Sequence, residues 1–159
     1  MSEKYREMGS QADGMKTPSE AVSGVVPEWE KLRTDASGVT FVWCLLESDG
    51  KYRVVESGGG GVSEACKPPQ SRTDTVWFGG LRVTRRGEGG GSAPPKFIHV
   101  LCVPSAVSPL KRGKAQLQKA AIFNAWPGAS GEVSLTDMDE SSLRGAVAKL
   151  LRCQPDDLE

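Results

Sequence analysis

The chain has 159 residues, a length that suits one folded domain. It carries 20 basic and 20 acidic residues, so its net charge of zero argues against a general attraction to nucleic acid. No apolar run is long enough to cross a bilayer, and residues 1–16 lack the apolar core of a signal peptide. These features predict a cytoplasmic protein, in which any electropositive function depends on a local patch.

The cysteines and the single histidine do not suggest catalysis or metal binding. No cysteine pair has the Cys-x-x-Cys spacing of a metal clip, and Cys44 and Cys102 lie in apolar, strand-like runs. His99 lies among bulky residues, with no acid or nucleophile at a recognisable spacing. We therefore predict reduced structural thiols, a core histidine, no metal or cofactor, and a protein that is not an enzyme.

The N-terminal part of the chain predicts a tail followed by a helical segment. Residues 1–17 are small, polar and charged, and we predict that they form a flexible tail. Thr17 and Pro18 suit the start of a helix, and Pro27 either kinks that helix or begins a second piece. The predicted inward stripe contains Val22, Val25, Trp29 and Leu32.

Two segments, residues 39–46 and 97–103, are apolar on both alternating faces, which indicates central strands covered on both sides. A hairpin turn at residues 48–50 leads to a strand nearer an edge, at residues 51–56. Residues 75–83 predict another strand, with a bulge at its Gly-Gly pair, and a short strand follows at residues 132–135.

Two glycine-rich stretches interrupt these elements. Residues 57–61 lack the lysine and the spacing of a phosphate-binding loop, so we predict a flexible linker there. Residues 62–67 predict a short helix that ends at Pro68 and Pro69. Residues 87–95 form a second glycine-rich loop, too long for a tight hairpin turn.

The helix that begins near Ser108 and Pro109 has an unusual charge distribution. Serine is a good N-cap and proline suits the first helical position. A period of 3.6 places Leu110, Gly113, Leu117, Ala120 and Ala121 on one face, which we expect to be buried. Ile122, Phe123 and Trp126 fall outside that face.

The cations of this helix are Lys111, Arg112, Lys114 and Lys119, and its first turns contain no acid. The helix dipole disfavours cations at an N-terminus. Two interpretations remain open: a solvated basic face, or a docking surface for an acidic partner.

The last helix is expected to be capped by Thr136 or Asp137, and residues 154–159 form an acidic C-terminal tail. The predicted inward stripe of this last helix contains Leu143, Val147, Leu150 and Leu151. The sequence thus predicts a single α/β (α+β) domain over residues 18–153. Its mixed sheet has five to six strands with helices on both faces.

The order and spacing of these segments resemble the actin-depolymerising factor homology domain, and within that family the coactosin-like branch. The resemblance runs from about Ser19 to Arg152. The segments that carry it are Trp29–Arg33 with the strand after it, residues 48–51, Lys96–Val100, Leu110–Lys119 and residues 132–137. It implies the fold of that family.

Members of this family bind actin, and the coactosin branch binds the filament. The resemblance implies a monomeric, filament-binding protein of the actin cytoskeleton that regulates filament dynamics or capping. The implied actin-binding residues are Lys111, Arg112, Lys114 and Lys119 on the helix, Lys96 before the fourth strand, and Arg85 and Arg86 beside the same loop.

The alternative is a cofilin-like protein that binds actin monomers and severs or depolymerises filaments. About seventeen extra residues before the match, and the helix composition at Gly113 and residues 116–118, depart from the cofilin pattern. Anionic phosphoinositide lipids are a further predicted ligand of the same basic patch.

Overall fold

The computed structural model describes residues 18–86 and 93–158. The predicted tail at residues 1–17, the middle of the second glycine-rich loop at residues 87–92 and the final Glu159 lie outside the described residues. Within the described ranges, no helix has the length and apolar character that a membrane span needs.

The described helices and strands follow the predicted order with one added short helix. The helices are α1 Pro18–Val22, α2 Val26–Arg33, α3 Gly61–Ala65, α4 Lys67–Ser71, α5 Pro109–Asn124 and α6 Glu140–Leu151. The strands are β1 Phe41–Leu46, β2 Tyr52–Gly58, β3 Trp77–Val83, β4 Lys96–Cys102 and β5 Gly131–Leu135. Short 3-10 turns occupy Asp35–Ser37 and Pro155–Asp157.

The five strands form one mixed sheet in the order β2-β1-β3-β4-β5. The β1–β2, β1–β3 and β3–β4 pairs are antiparallel, whereas β4 and β5 are parallel. A parallel pair needs a long crossover connection, and α5 supplies it. The predicted mixed sheet, with β1 and β4 in its interior, is confirmed.

Helices cover both faces of the sheet, and each face has its own core. On one face α1, α2 and α5 bury Val25, Trp29, Leu32 and Ile122. On the other, α3 and α6 bury Val62, Leu143 and Val147 against the sheet. The predicted inward stripes of α2 and α6 therefore point into opposite cores.

Two stacked tryptophan rings join α2 to the end of α5. The Trp29 and Trp126 rings lie 5.1 Å apart with an interplanar angle of 6°. Each indole N–H donates to a backbone carbonyl, Trp29 to Pro127 at 2.8 Å and Trp126 to Val25 at 3.1 Å. Buried tryptophans need such partners, because an unpaired indole N–H would be costly.

The Gly79-Gly80 pair is not a bulge, and that prediction was wrong. Both residues pair in regular register with β1, and the irregularity lies in the β1–β2 pair instead. A Cβ on Gly79 would lie 2.5 Å from the Trp43 ring, and one on Gly80 would lie 2.8 Å from the Trp29 ring. The glycines make room for one tryptophan on each face of the sheet.

The glycine run at residues 57–61 is not a flexible linker, so that prediction was also wrong. Gly58 pairs with Phe41 in the sheet, and Gly61 N–H donates to the Thr40 hydroxyl at 2.9 Å. The run therefore ends β2 and begins α3. After α3, Pro68 and Pro69 lie within α4, where the first helical positions tolerate proline.

The second of the two interpretations of Pro27 is correct, because α1 and α2 are separate helices. Helix α6 begins later than predicted, and its N-cap is Asp139, whose carboxylate accepts from Ser142 N–H at 2.7 Å. Met138 before the cap and Leu143 in the first turns belong to the same core. Such a pair acts as a hydrophobic staple, which explains the later start.

The C-terminal residues up to Leu158 pack on the domain. Leu158 is buried and forms an isolated antiparallel bridge with Arg85. The backbone carbonyl of Asp157 accepts from Arg86 N–H at 2.7 Å, and that of Leu158 accepts from Arg144 at 3.0 Å. The described part of the predicted acidic tail is thus attached to the root of the β3–β4 loop.

Candidate binding surface on helix α5

Helix α5 begins as the sequence predicts. The Ser108 hydroxyl accepts from Lys111 N–H at 3.3 Å, and Pro109 occupies the first helical position. The helix has 16 residues, which gives a length of about 24 Å. Its first turn contains no acidic residue, so the cations there are not offset within the helix.

The buried face of α5 is not the predicted one. Leu110 and Leu117 are exposed to 68% and 79%, and Gly113 faces open space. The residues that face the core are Ala115, Ile122 and Phe123. The three large side chains Ile122, Phe123 and Trp126 set the rotation of the helix, because together they bury more apolar area than the two leucines would.

Arg112 is occupied by its own chain. Its guanidinium donates to the backbone carbonyls of Pro104 and Ser105 at 3.2 Å and of Val107 at 3.4 Å. These bonds hold the turn between β4 and α5. Arg112 therefore has a structural role within its own chain, and its part in docking stays a prediction.

Lys119 is also occupied. Its ammonium forms an ion pair with the Glu132 carboxylate on β5, and both side chains are partly buried. The pair links the crossover helix to the neighbouring parallel strand. Because Glu132 offsets its charge, Lys119 offers less to an acidic partner than an unpaired lysine, and its part in docking stays a prediction.

Lys111 and Lys114 remain available. Both are exposed, and neither side chain forms an ion pair or hydrogen bond within residues 18–86 and 93–158. They lie one turn apart on the same side of α5, next to the exposed Leu110 and Leu117. We name this group of four residues the α5 docking face.

A cleft of about 330 Å³ lies beside this face, between α5 and one end of the sheet. Lys111 and Lys114 line it together with a third cation, Arg72, which follows α4. Its remaining lining residues are Leu45, Leu46, Glu47, Thr75, Val76, Phe78 and Gln118. Sequence reasoning missed Arg72, because nothing local to it indicates that α4 ends beside α5.

Lys96, Arg85 and Arg86 lie at the opposite end of the sheet. Lys96 pairs with Val83 at the end of β3, whereas the cleft lies at the start of that strand, beside Val76. Seven strand residues separate the two ends by about 20 Å. The predicted site residues therefore form two groups, one on α5 and one at the root of the β3–β4 loop.

Burial shifts the pKa values of titratable groups in the core. Burial raises the pKa of the Cys44 thiol well above its usual value and raises that of Cys102 to about 12. Burial also lowers the pKa of His99, whose Nε2 donates to the Trp126 carbonyl at 2.9 Å. In the part of the chain that the structure describes, no cluster of His, Cys, Asp and Glu could hold a metal ion.

The sequence matches no protein-family model and no curated protein. Solved structures with the same fold do match. One is coactosin from Entamoeba histolytica, with a TM-score of 0.70 at 18% identity, covering 86% of this chain and 97% of that one. Human coactosin-like protein gives 0.68 at 18% identity, over 83% of this chain and 96% of that one.

Mouse coactosin, described as an actin filament binding protein, gives a TM-score of 0.60 at 20% identity, over 85% of this chain and 91% of that one. These similarities cover almost the whole of each known protein. The chain therefore has the actin-depolymerising factor homology fold, in the form found in coactosins, and the predicted fold is confirmed.

Proposed function

We propose that this protein binds actin filaments through the α5 docking face. The observation that carries the proposal is the pairing of two exposed leucines with two unpartnered lysines on one rigid helix. The mouse protein of the same fold is described as an actin filament binding protein. The shared fold supports actin as the class of partner, and the exposed side chains support this surface as the place of contact.

The chemistry of the face suits an acidic protein surface. Leu110 and Leu117 lie two turns apart on one side of α5, about 10 Å along its axis, with Lys114 between them. Exposed apolar side chains grouped on one face and flanked by polar residues are typical of interaction sites. Burying each leucine would contribute about 1.5–3 kcal/mol. The lysines add attraction and orientation during encounter, because their charges are not offset by carboxylates of the same helix.

Two basic groups at the two ends of the sheet allow contact with an actin surface at two places. Lys96, Arg85 and Arg86 lie at the other end of the sheet from the cleft, about 20 Å away along β3. A filament presents neighbouring subunits, so the two groups can engage at once and strengthen binding by effective concentration. We therefore keep Lys96, Arg85 and Arg86 as a second, weaker contact.

This function needs no catalysis and places the protein in the cytoplasm, at the actin cytoskeleton. The consequence for filaments would be altered dynamics or competition with capping factors. Anionic phosphoinositides are a second class of ligand that the same free lysines attract, and a lipid surface covering them would compete with actin.

Cosedimentation with actin filaments tests the proposal. We expect the protein to pellet with filaments at low ionic strength, with affinity falling as salt is added, because exposed charges are screened. Absence from the pellet at low salt would refute filament binding. Binding to actin monomers in a parallel assay, together with rapid filament fragmentation, would instead support the cofilin-like alternative.

A further inference from the structure

The cleft beside α5 gathers three cations from two separate elements. Arg72 belongs to the segment after α4, and Lys111 and Lys114 belong to α5. Within the described ranges none of the three side chains forms an ion pair or hydrogen bond. The single acid in the lining, Glu47, lies 3.6 Å from Arg53 and is thus partly offset.

We propose that this cleft binds an acidic segment of the protein partner, by receiving a carboxylate and the apolar side chain beside it. Arg72 is then a binding residue that the α5 helix alone does not reveal. The identity of the partner as actin rests on the proposed function, whereas the preference of the cleft for an acidic, partly apolar segment does not.

The backbone around these cations is fixed, so the cleft exists before any partner arrives. The Arg72 carbonyl accepts from the Trp77 indole N–H at 3.0 Å, which ties the segment after α4 to β3. The Ser108 cap fixes the first turn that carries Lys111. A preformed arrangement of charges reduces the ordering cost of binding.

The size and the floor of the cleft select the ligand. About 330 Å³ lies at the lower end of the range for small-molecule pockets, which begins near 300 Å³, so one or two side chains fill it. The apolar residues Leu46, Val76 and Phe78 line part of the cleft, and all three pack in the core on the α5 face of the sheet. An inorganic anion would leave this part unused, whereas a leucine or phenylalanine beside a carboxylate would fill it.

The charges select a carboxylate over a phosphate ester. Arginine binds carboxylates and phosphates alike in a bidentate manner, and the two lysines nearby attract either group, so the acid in the lining decides between them. Glu47 lines the same cleft and repels a multiply charged group more strongly than a single carboxylate. The headgroup of a phosphoinositide is therefore a poorer match than an acidic peptide.

A peptide titration tests the cleft without actin. The probe is acetyl-Asp-Glu-Leu-Leu-Glu-Asp-amide, and its control replaces every acid by Asn or Gln. We expect saturable shifts of the backbone amide signals of Val76, Lys111 and Lys114, with a dissociation constant on the order of 1 mM. Arg72→Glu should weaken this binding about tenfold or more, and Arg72→Lys should restore part of it.

Four results would overturn the proposal. The acidic probe could leave these amide signals unchanged, the neutral control could shift them equally, or Arg72→Glu could bind the probe as the native chain does. Stronger binding to vesicles containing phosphoinositide, through the same amides and without a response to the peptide, would also overturn it. A thermal melt shows whether the Arg72→Glu protein is folded.

Filament cosedimentation of Arg72→Glu, with Lys149→Glu as the matched control, links the cleft to the partner. Lys149 is exposed on α6, which covers the opposite face of the sheet. We expect a loss of about tenfold for Arg72→Glu only. Equal pelleting of both variants would overturn the role of the cleft. Peptide binding without pelleting of the native chain would refute the actin proposal and support the cleft.

Discussion

At the scale of single residues, the core dictates where small and aromatic side chains must lie. His99 is enclosed by aromatic rings: it stacks on Phe123 at 4.4 Å, and its ring lies 5.2 Å from that of Trp29 and 6.2 Å from that of Trp126. The nearest charge that acts on it is Glu132. The histidine therefore stabilises the α2–α5 core as a neutral ring.

Burial lowers the pKa of His99 in the folded chain, so the unfolded chain binds its proton more readily. A neutral His99 therefore contributes to the free energy of unfolding. This contribution is complete above the pKa that His99 has in the unfolded chain, near 6.5, and is lost as pH falls through its pKa in the folded chain. We expect the urea midpoint to fall between about pH 7.5 and pH 5.5, where no other side chain of ordinary pKa titrates.

His99→Gln is the control, because His99 is the only histidine of the chain. This variant should be less stable overall but should show a much flatter dependence on pH in the same range. A native protein whose urea midpoint changes no more than that of the variant would contradict a neutral, partly buried His99.

Two glycines provide a matched pair for packing. Gly79→Ala places a methyl group 2.5 Å from the Trp43 ring, and we expect it to lower the free energy of unfolding by about 1–3 kcal/mol. Gly113→Ala meets open space within α5 and should raise it by up to about 1 kcal/mol. Urea denaturation measures both, and changes of the same sign would contradict this packing.

At the scale of elements, sequence patterns with one dominant apolar stripe were predictable, and competing stripes were not. Helices α2 and α6 each present a single stripe, so their buried faces could be inferred. Helix α5 carries two candidate faces, one with Leu110 and Leu117 and one with Ile122 and Phe123. Packing against the sheet and α2 decides between these two faces. The only indication in the sequence was that Ile122 and Phe123 fall outside the face set by Leu110 and Leu117.

Leu117→Gln and Ile122→Ala test the rotation of α5. Leu117 is exposed, so its replacement should change the free energy of unfolding by no more than about 0.5 kcal/mol while weakening filament binding. Ile122 is fully buried, and its truncation should cost about 2–5 kcal/mol. Severe destabilisation by Leu117→Gln would show that the leucines face the core.

The C-terminal segment could not be predicted to dock, because its sequence is mostly polar and acidic. Leu158 provides the apolar contact. The carbonyls of Asp157 and Leu158 accept hydrogen bonds from the Arg86 backbone N–H and the Arg144 guanidinium, which complete the attachment. The contact lies between positions more than 70 apart in sequence, and no local pattern indicates such a pairing.

Leu158→Ala tests this attachment. Loss of a buried leucine should cost about 2 kcal/mol, at the low end of such truncations because the site is near the chain end. The Arg86 amide should then exchange with solvent faster, since it loses its partner carbonyl. Asp156→Asn, an exposed change in the same segment, is the control. Unchanged exchange at Arg86 in Leu158→Ala would contradict the docked arrangement.

At the scale of the whole molecule, the fold explains why a basic patch predicted from sequence divides into parts. Arg112 bonds carbonyls of the preceding turn, and Lys119 pairs with a carboxylate on β5, so both belong to the scaffold. Their partners come from other elements, which is why sequence alone could not separate them from Lys111 and Lys114. Arg72 lines the cleft with Lys111 and Lys114, and sequence alone could not show this because Arg72 also comes from another element.

The chain thus carries one basic and apolar face at the start of α5 and a second basic group about 20 Å away. A reversal of charge at Lys96 should weaken filament binding less than one on α5, because no exposed leucine accompanies it. Cosedimentation of Lys96→Glu beside the α5 variants measures this order. A larger loss for Lys96→Glu would show that the loop end provides the main contact.

The most direct test is cosedimentation of the double variant Lys111→Glu/Lys114→Glu with actin filaments, beside Lys149→Glu and the native protein. We expect the native protein and the Lys149 control to pellet alike, and the double variant to bind at least about tenfold more weakly. If the folded double variant pellets as the native protein does, the α5 docking face is not the filament-binding surface.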